Sequence, residues 1–194
     1  FGNILGERKG DQHARYSGSR VACSIKSGGA NCWGDNSSYL LGTGNSTNSL
    51  DPVNVNGLES GVDMIATGDE CACAVQNGGI KCWGYNDRGQ LGDGTRTNRS
   101  TAVVVSGLTS GVTAVAAGGG NGNSHTCGIQ NGGLKCWGYN SYGQLGDGTV
   151  TYRTIAVAVS GLASGVSAVA LGGDHTCAIQ SGNLKCWGRN NYGQ

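Results

Sequence analysis

The sequence carries little charge for its length. Of 194 residues, 13% are charged, with 13 basic and 12 acidic side chains and a formal net charge of +1. A nucleic-acid-binding surface needs clustered Lys and Arg to displace counterions from phosphates, so the composition argues against a nucleic acid partner. No apolar run reaches roughly 18 residues, which argues against membrane insertion. The N-terminus lacks the apolar core of a signal peptide, so any leader is expected to have been removed.

Sequence motifs of catalysis and metal binding are also missing. The chain contains no G-x-S-x-G nucleophile elbow, no phosphate-binding P-loop and no H-E-x-x-H zinc motif. Asp93 and Asp147 lie in the repeated string LGDGT without the series of oxygen donors that a calcium loop requires, so turn formation is the favoured role. The protein is therefore predicted to be no enzyme and to use no cofactor or metal.

The histidines do not form a repeated site. His125 and His175 each lie two residues before a cysteine, but the equivalent positions elsewhere hold Val21 and Cys71. A site built by the repeat would recur, so a structural role at the end of a strand is favoured. His13 lies in the irregular N-terminal segment and has no visible partner in the sequence.

Cysteine and glycine are abundant, with nine and 38 residues. Eight cysteines form pairs nine positions apart, and the second member of each pair begins the string CWG. Structural zinc sites place cysteines about two to four residues apart, so this spacing indicates disulfides of an oxidising compartment. We expect an extracellular, cell-surface or periplasmic protein. The predicted pairs are Cys23 with Cys32, Cys73 with Cys82, Cys127 with Cys136, and Cys177 with Cys186.

One cysteine remains outside this scheme. Cys71 precedes Cys73 by two positions and has no counterpart in the other copies. In a secreted protein such a residue forms an intermolecular bridge, exchanges into a pairing with Cys82, or stays a buried free thiol. The sequence leaves these three outcomes open.

An internal repeat of about 50 residues organises the whole chain. The tryptophans of the CWG strings, Trp33, Trp83, Trp137 and Trp187, recur at intervals of 50, 54 and 50 residues. The chain is therefore predicted to be one repeat domain, 1–194. Its units are a divergent first repeat at 1–48, a second at 49–98, a third at 99–152 and a truncated fourth at 153–194.

Each repeat reads as strands and turns. Apolar residues alternate, as Ile155, Val157 and Val159 do, and glycine clusters interrupt the chain about every 8 to 12 residues. No segment shows the period of an amphipathic helix. Each repeat offers four short antiparallel strands, like TAVVV, GVTAVAA, HTCGIQ and LKCWG. This pattern predicts an all-β fold, a β-propeller of about four blades that is partial or completed by association.

The spacing of each cysteine pair fixes a hairpin register. Cys127 and Cys136 face each other across a two-residue loop of Asn131 and Gly132, the favoured pair for a type I′ turn. They fall on a non-hydrogen-bonded pair, whose Cα atoms lie about 4.5 Å apart, within reach of a disulfide. The adjacent tryptophan points to the opposite face, where packing between blades is favoured over binding a sugar.

These strings resemble a known repeat. HTCAIQSGNLKCWGRNNYGQ, GYNDRGQLGDGT and GYNSYGQLGDGT resemble the regulator of chromosome condensation repeat in its bacterial, disulfide-bearing form. SGVDMIATG, SGVTAVAAG and SGVSAVALG look like segments of secreted β-lactamase-inhibiting propellers. The resemblance covers roughly residues 17–194 and weakens at 38–43. It implies a seven-bladed propeller that binds other proteins and has no chemistry of its own.

Four repeats fall short of the seven blades that the resemblance implies. The segment 1–6 is similar to residues 142–146 with one insertion, so the two ends of the chain have nearly the same repeat phase. The chain is then a fragment of a longer propeller, a partial ring that closes with another copy, or a subunit that adds head to tail. An open array leaves two blade faces uncovered, which favours association.

The leading functional hypothesis is a non-catalytic extracellular propeller that binds a protein, including a second copy of itself. The first alternative is a structural subunit of an extracellular filament, and the second is a secreted inhibitor of an extracellular enzyme. Tyr85, Tyr139 and Arg189 follow the CWG strings at equal positions, and Tyr142 lies in the next turn. These four residues are the candidate contact strip.

Overall fold

The computed structural model describes residues 15–17, 20–120 and 122–193. It contains fifteen strands in four antiparallel sheets, and the described residues form no helix. The all-β propeller architecture is confirmed. The expectations for His13 and for the segment 1–6 lie outside the described residues.

The sheets follow one another along the chain as blades. Blade 1 contains β1 (Arg15–Ser17), β2 (Val21–Lys26), β3 (Gly29–Gly34) and β4 (Ser49–Asn54). Blade 2 contains β5 (Val62–Thr67), β6 (Cys71–Gln76), β7 (Gly79–Gly84) and β8 (Arg99–Val104). Blade 3 contains β9 (Val112–Gly118), β10 (His125–Gln130), β11 (Gly133–Gly138) and β12 (Arg153–Ala158). Blade 4 contains β13 (Val166–Leu171), β14 (His175–Gln180) and β15 (Asn183–Gly188).

Blades and sequence repeats are offset by one strand. In blades 1 to 3 the strand that contains CWG pairs with a fourth strand that lies at the start of the next sequence repeat. Thus β8 begins the repeat 99–152 but completes blade 2, and β12 begins the repeat 153–194 but completes blade 3. Consecutive repeats are therefore interlocked by their strands.

The central hairpin of each blade has the register that the cysteine spacing predicts. Cys127 lies opposite Cys136, and Gln130 opposite Gly133. The two loop residues, Asn131 and Gly132, have φ values of 51° and 77°, as a type I′ turn requires. The remaining three hairpins repeat this arrangement.

The apolar core lies between adjacent blades. One cluster packs β2 and β3 against β5 and the tryptophan of blade 2, and two further clusters repeat this arrangement along the chain. Trp83 and Trp137 are fully buried, whereas Trp33 and Trp187, in the first and last blades, are half-buried. The two fully buried tryptophans are thus those of blades 2 and 3, which have a described blade on each side. No helix of the described residues is long and apolar enough to cross a membrane.

Candidate functional site

The tryptophans join neighbouring blades. Trp83 Nε1 donates to the carbonyl of Leu40 at 2.8 Å, and Trp137 Nε1 donates to the carbonyl of Gln90 at 2.9 Å. Trp187 makes the same bond to the loop of blade 3 at 2.9 Å. Each of these rings also lies against a loop glycine. A Cβ built on Gly92, for example, would come within 2.8 Å of Trp137. Trp83, Trp137 and Trp187 thus occupy structural positions between blades.

The structure joins eight cysteines in the pairs given by their spacing. Cys23–Cys32, Cys73–Cys82, Cys127–Cys136 and Cys177–Cys186 are disulfides with Cα separations of 4.0 to 4.1 Å. Each bridge links the two central strands of one blade. They brace the hairpins and lie away from the loop surface.

Cys71 is a free thiol without exposed surface. Burial raises its pKa to about 12, and its Sγ lies 4.0 Å from the hydroxyl of Thr126 on blade 3. A protonated thiol enclosed between two blades can neither attack a substrate nor reach a second chain. Of the three outcomes left open by the sequence, the structure shows the buried free thiol.

His125 holds the equivalent position between blades 3 and 4. Its Nε2 lies 2.8 Å from the hydroxyl oxygen of Thr176, which itself donates to the carbonyl of Gln144 at 2.8 Å. Because the hydroxyl proton is directed at that carbonyl, His125 donates from Nε2. Burial, with a smaller contribution from the charge of His175, lowers its pKa to about 4. The residue is a packing element of the blade junction.

The aspartates of the LGDGT strings close loops. Asp147 accepts hydrogen bonds from Thr149 and pairs with Arg153 at 2.7 Å, and Asp93 pairs with Arg99 at 2.6 Å. These hydrogen bonds help hold the pKa of both carboxyls below their usual range. Their oxygens are thus occupied by the protein itself. The described residues contain no cluster of three or more His, Cys, Asp or Glu that could hold a metal ion.

Three of the four residues of the predicted contact strip lie together. The Tyr139 and Tyr142 rings meet edge to face with centroids 6.4 Å apart, and the Arg189 guanidinium lies 4.9 Å from the Tyr142 centroid. Tyr85 belongs to the preceding blade, where its hydroxyl donates to Asp87, a contact that raises the pKa of the phenol. It makes no ring contact with the other three among the described residues.

Two further residues extend this cluster. The Tyr152 ring lies 5.0 Å from that of Tyr139, and the Arg88 guanidinium lies 5.6 Å from the Tyr152 centroid. The sequence pattern indicated neither residue, because Tyr152 replaces the Asn98 of the preceding copy and Arg88 reaches the Tyr152 ring from the preceding blade. We call these five side chains the arginine–tyrosine ladder: Arg88, Tyr152, Tyr139, Tyr142 and Arg189.

The ladder combines a buried base with an accessible surface. Tyr139 is buried, whereas 43% of Tyr142 is exposed. Arg189 is held by an ion pair to Asp174 at 3.1 Å, which raises the pKa of its guanidinium. A polar basin of about 640 Å³ adjoins Arg189 and is lined by glycine-rich turns of blades 2 to 4, with Asp69 and Asp174 at its wall. The rim therefore presents cationic, aromatic and acidic groups in fixed positions.

Comparisons with known proteins agree with this architecture. The regulator of chromosome condensation (RCC1) repeat matches residues 27–75, 77–129 and 131–179, and a second model of that repeat matches 166–194. Comparison with curated protein sequences gives no significant match.

Similar solved structures include human WBSCR16, with a TM-score of 0.77 and 22% identity over 97% of this chain and 51% of that one. Yeast RCC1 (Prp20) bound to Kap60 has a TM-score of 0.73 and 19% identity over 96% and 46%. Saccharomyces cerevisiae Prp20p, described with its binding to Gsp1p and histones, has a TM-score of 0.69 and 21% identity over 89% of this chain and 42% of that one. The chain thus spans about half the length of these structures.

The family matches run consecutively through most of the chain, and the blades of the structure reproduce its repeat. The chain therefore belongs to the regulator of chromosome condensation (RCC1) repeat family of β-propellers.

Proposed function

We propose that this chain is a non-catalytic, extracellular protein-binding propeller and that the arginine–tyrosine ladder is its recognition surface. The observation that carries the proposal is the ladder itself, in which five side chains from three blades stack in continuous contact. The four disulfides favour an oxidising compartment, because such bonds are rare in the cytosol.

The composition of the ladder suits protein recognition. Tyrosine and arginine are enriched among the residues that dominate binding energy at protein interfaces. Tyrosine adds large contact area at a small cost in side-chain entropy, and stacking on a ring fixes an arginine before the partner arrives. In this chain Tyr139 supports Tyr142 and Tyr152 from beneath, so the surface is preorganised.

Similar propellers support the general role. Prp20 is bound to the protein Kap60 in one of these structures, and Prp20p is described as binding Gsp1p and histones in the other. Only the use of the propeller as a protein-binding scaffold is carried over to this chain. Its partner and compartment are proposed from its own residues.

Photo-crosslinking tests the surface before the partner is identified. A photoreactive phenylalanine analogue replaces Tyr142 in one protein and Leu50 in the control, since Leu50 on β4 is 95% exposed and lies outside the ladder. We expect Tyr142 to give a discrete crosslinked protein that is absent from the Leu50 control. Crosslinking of one product from Leu50 alone would contradict the proposal.

Affinity measurements with that partner give the second test. Tyr142→Ala and Arg88→Ala each remove one exposed side of the ladder, and we expect at least a tenfold weaker affinity, or about 1.4 kcal/mol. Val150→Ala, at an exposed loop residue outside the ladder, is the control and should leave the affinity unchanged. Equal affinities for all three variants would exclude the ladder as the interface.

Assembly is the second candidate, because the last blade exposes apolar side chains that inner blades bury. Leu184 is 69% exposed and Ile179 37% exposed, whereas the equivalent Leu134 and Ile129 of blade 3 are buried. Head-to-tail packing against the half-buried Trp33 of another copy would cover them. Light scattering after size exclusion measures the mass of the assembly. An open-ended mass distribution would support a filament, and a discrete dimer would support a closed ring. A monomer would contradict both.

Inhibition of a secreted enzyme is a narrower form of protein binding. The acidic and aromatic group that favours it is Tyr85 with Asp87, beside the carboxylate of Glu70. Its test is inhibition of the enzyme identified by crosslinking. Loss of inhibition in Asp87→Asn, with Tyr142→Ala as comparison, would assign the inhibitory contact to this group.

A further inference from the structure

Three asparagines of the chain stand in the sequence N-x-S/T, which is the acceptor motif for N-linked glycans. They are Asn36 in NSS, Asn45 in NST and Asn98 in NRS. A transferase modifies a folded acceptor where the side-chain amide and the hydroxyl two residues later are both accessible. The three motifs therefore differ in their use according to how the fold holds them.

Asn36 is enclosed at the centre of its loop. It has no exposed surface, and its side-chain nitrogen donates to the carbonyls of Asn45 and Thr47 at 2.8 and 3.2 Å. Its side-chain oxygen accepts from the amide of Leu41 at 2.8 Å. Both ends of this amide are engaged by the loop, so its nitrogen is not available to a transferase.

Asn98 is held at the start of a strand. It is half-buried, and its side-chain oxygen accepts from the amide of Asn86 at 2.8 Å. The other two residues of the motif, Arg99 and Ser100, belong to β8, and the carbonyl of Ser100 accepts from the amide of Gly44 at 2.8 Å. Because a strand keeps these residues extended, the serine hydroxyl cannot turn back towards the asparagine amide.

The motif at Asn45 is exposed over its whole length. Asn45, Ser46 and Thr47 are all exposed and lie in the loop between β3 and β4. The side-chain oxygen of Asn45 accepts from the amide of Thr47 at 2.9 Å and from the hydroxyl of Thr43 at 3.1 Å. The first of these bonds folds the motif into an Asx turn. The side-chain nitrogen of Asn45 has no acceptor among the described residues.

The equivalent loops show which part of Asn45 the fold needs. Thr95 and Thr149 hold its position in blades 2 and 3, and their hydroxyl oxygens accept from the amide two residues later at 3.2 and 3.3 Å. The side-chain oxygen of Asn45 makes the same contact. The nitrogen is therefore additional to the loop closure that the three blades share.

We propose that Asn45 is a site of N-linked glycosylation, with an oligosaccharide on a lipid pyrophosphate as the donor. Nδ2 of Asn45 attacks the anomeric carbon, so a nitrogen–carbon bond forms and the carbon–oxygen bond to the pyrophosphate breaks. The lipid pyrophosphate leaves with the electron pair, and the nitrogen gives a proton to a carboxylate of the transferase. The site depends on the extracellular location proposed above, because these transferases act in the compartments where disulfides form.

Glycosylation of the purified protein tests the site. The folded 194-residue chain and its reduced, alkylated form are each incubated with a purified single-subunit oligosaccharyltransferase and a lipid pyrophosphate that carries chitobiose. Mass spectrometry of the peptides gives the occupancy of each asparagine. In the folded protein we expect Asn45 to be at least tenfold more occupied than Asn36 or Asn98. In the reduced form the occupancy of Asn98 should rise, because β8 no longer holds its motif.

Three variants separate the acceptor from its surroundings. Asn45→Thr introduces the residue that blades 2 and 3 have at this position, so the loop should close normally and modification of the folded protein should be lost. Thr47→Ala keeps Asn45 and the backbone amide that it accepts from, but removes the hydroxyl of the motif, and should lower the occupancy at least tenfold. Ser46→Ala changes only the middle residue and should leave the occupancy unchanged.

Three results would overturn the proposal: no modification of Asn45 in the folded protein, equal occupancy of Asn45 and Asn98 there, or unchanged occupancy in Thr47→Ala. The photo-crosslink at Tyr142 should form equally well with Asn45→Thr, because the arginine–tyrosine ladder comes from blades 2 to 4 and Asn45 from blade 1. Absence of that crosslink with a modified Asn45 would count against the ladder alone.

Discussion

Acid should loosen the junction between blades 3 and 4 through His125. The imidazole is fully buried, donates from Nε2 to Thr176, and has no partner for Nδ1 among the described residues. A second proton would therefore enter an enclosed site with no acceptor. Unfolding exposes the ring to water and removes this restriction, so the unfolded chain binds the proton more readily.

The sign and size of the effect follow from the pKa of His125. The folded-state pKa is about 4, and the ordinary value is 6.5. Because the folded pKa is the lower one, the contribution of His125 is complete above pH 6.5 and is lost as the pH falls to about 4. The free energy of unfolding should decrease by about 2 kcal/mol from this residue between pH 7 and pH 5, and by about 3 kcal/mol at pH 4.

Blade 1 supplies a matched variant. Its equivalent junction contains Val21 and Ala72 in place of His125 and Thr176, and both are buried in one cluster. The double variant His125→Val, Thr176→Ala therefore removes the titrating group and its acceptor together. His175 and all carboxylates are common to both proteins, so the difference between them isolates His125.

Urea unfolding followed by tryptophan fluorescence at pH 7, 6, 5 and 4 gives the two stability profiles. The natural protein should lose about 2 kcal/mol more than the double variant between pH 7 and pH 5. Parallel profiles would show that protonation of His125 is not linked to unfolding and would refute this reasoning.

Three shorter predictions concern the blades. Replacing Cys177 and Cys186 by alanine should lower the free energy of unfolding by roughly 2.5 to 3 kcal/mol in denaturant titration, because the bridge closes a loop of about ten residues; an unchanged midpoint would contradict this. Trp137→Phe removes the indole hydrogen bond to the Gln90 carbonyl, which still accepts from the Thr126 hydroxyl. Calorimetry should therefore show a decrease in the free energy of unfolding near the lower end of about 1 to 3 kcal/mol. Ser181→Asn should raise the melting temperature slightly, since φ is 50° there and asparagine tolerates this conformation better; a decrease would refute the turn assignment.

Local pattern was sufficient to predict the hairpins. The cysteine spacing and the Asn131-Gly132 pair define strand register within nine residues, where few alternatives exist. The pairing of β8, which contains TAVV, and of its equivalents in the other repeats was not predictable in this way. Its alternating pattern fits the edge of either neighbouring blade, and only the whole fold shows that it completes the preceding one.

The candidate site was predicted only in part, because contacts between blades do not follow from the local repeat pattern. Tyr139 and Arg189 share a repeat phase and Tyr142 lies in the next turn, so the repeat pattern indicated all three. Arg88 and Tyr152 were not indicated, because Arg88 reaches the Tyr152 ring from the preceding blade and Tyr152 replaces an asparagine of the preceding copy. The first repeat shows a further limit. Tyr39 stands where the other repeats have glycine and adopts φ of 63°, so the loop keeps its shape although its sequence departs from the pattern.

The strand offset between blades and repeats has a consequence for how such chains change length. A 50-residue unit that begins at a fourth strand completes the blade before it and leaves its own blade to be completed by the next unit. Duplication or deletion of one whole unit by recombination therefore restores a four-stranded sheet at the junction. The array can gain or lose blades during evolution without creating a new type of contact, because every junction joins the same two ends.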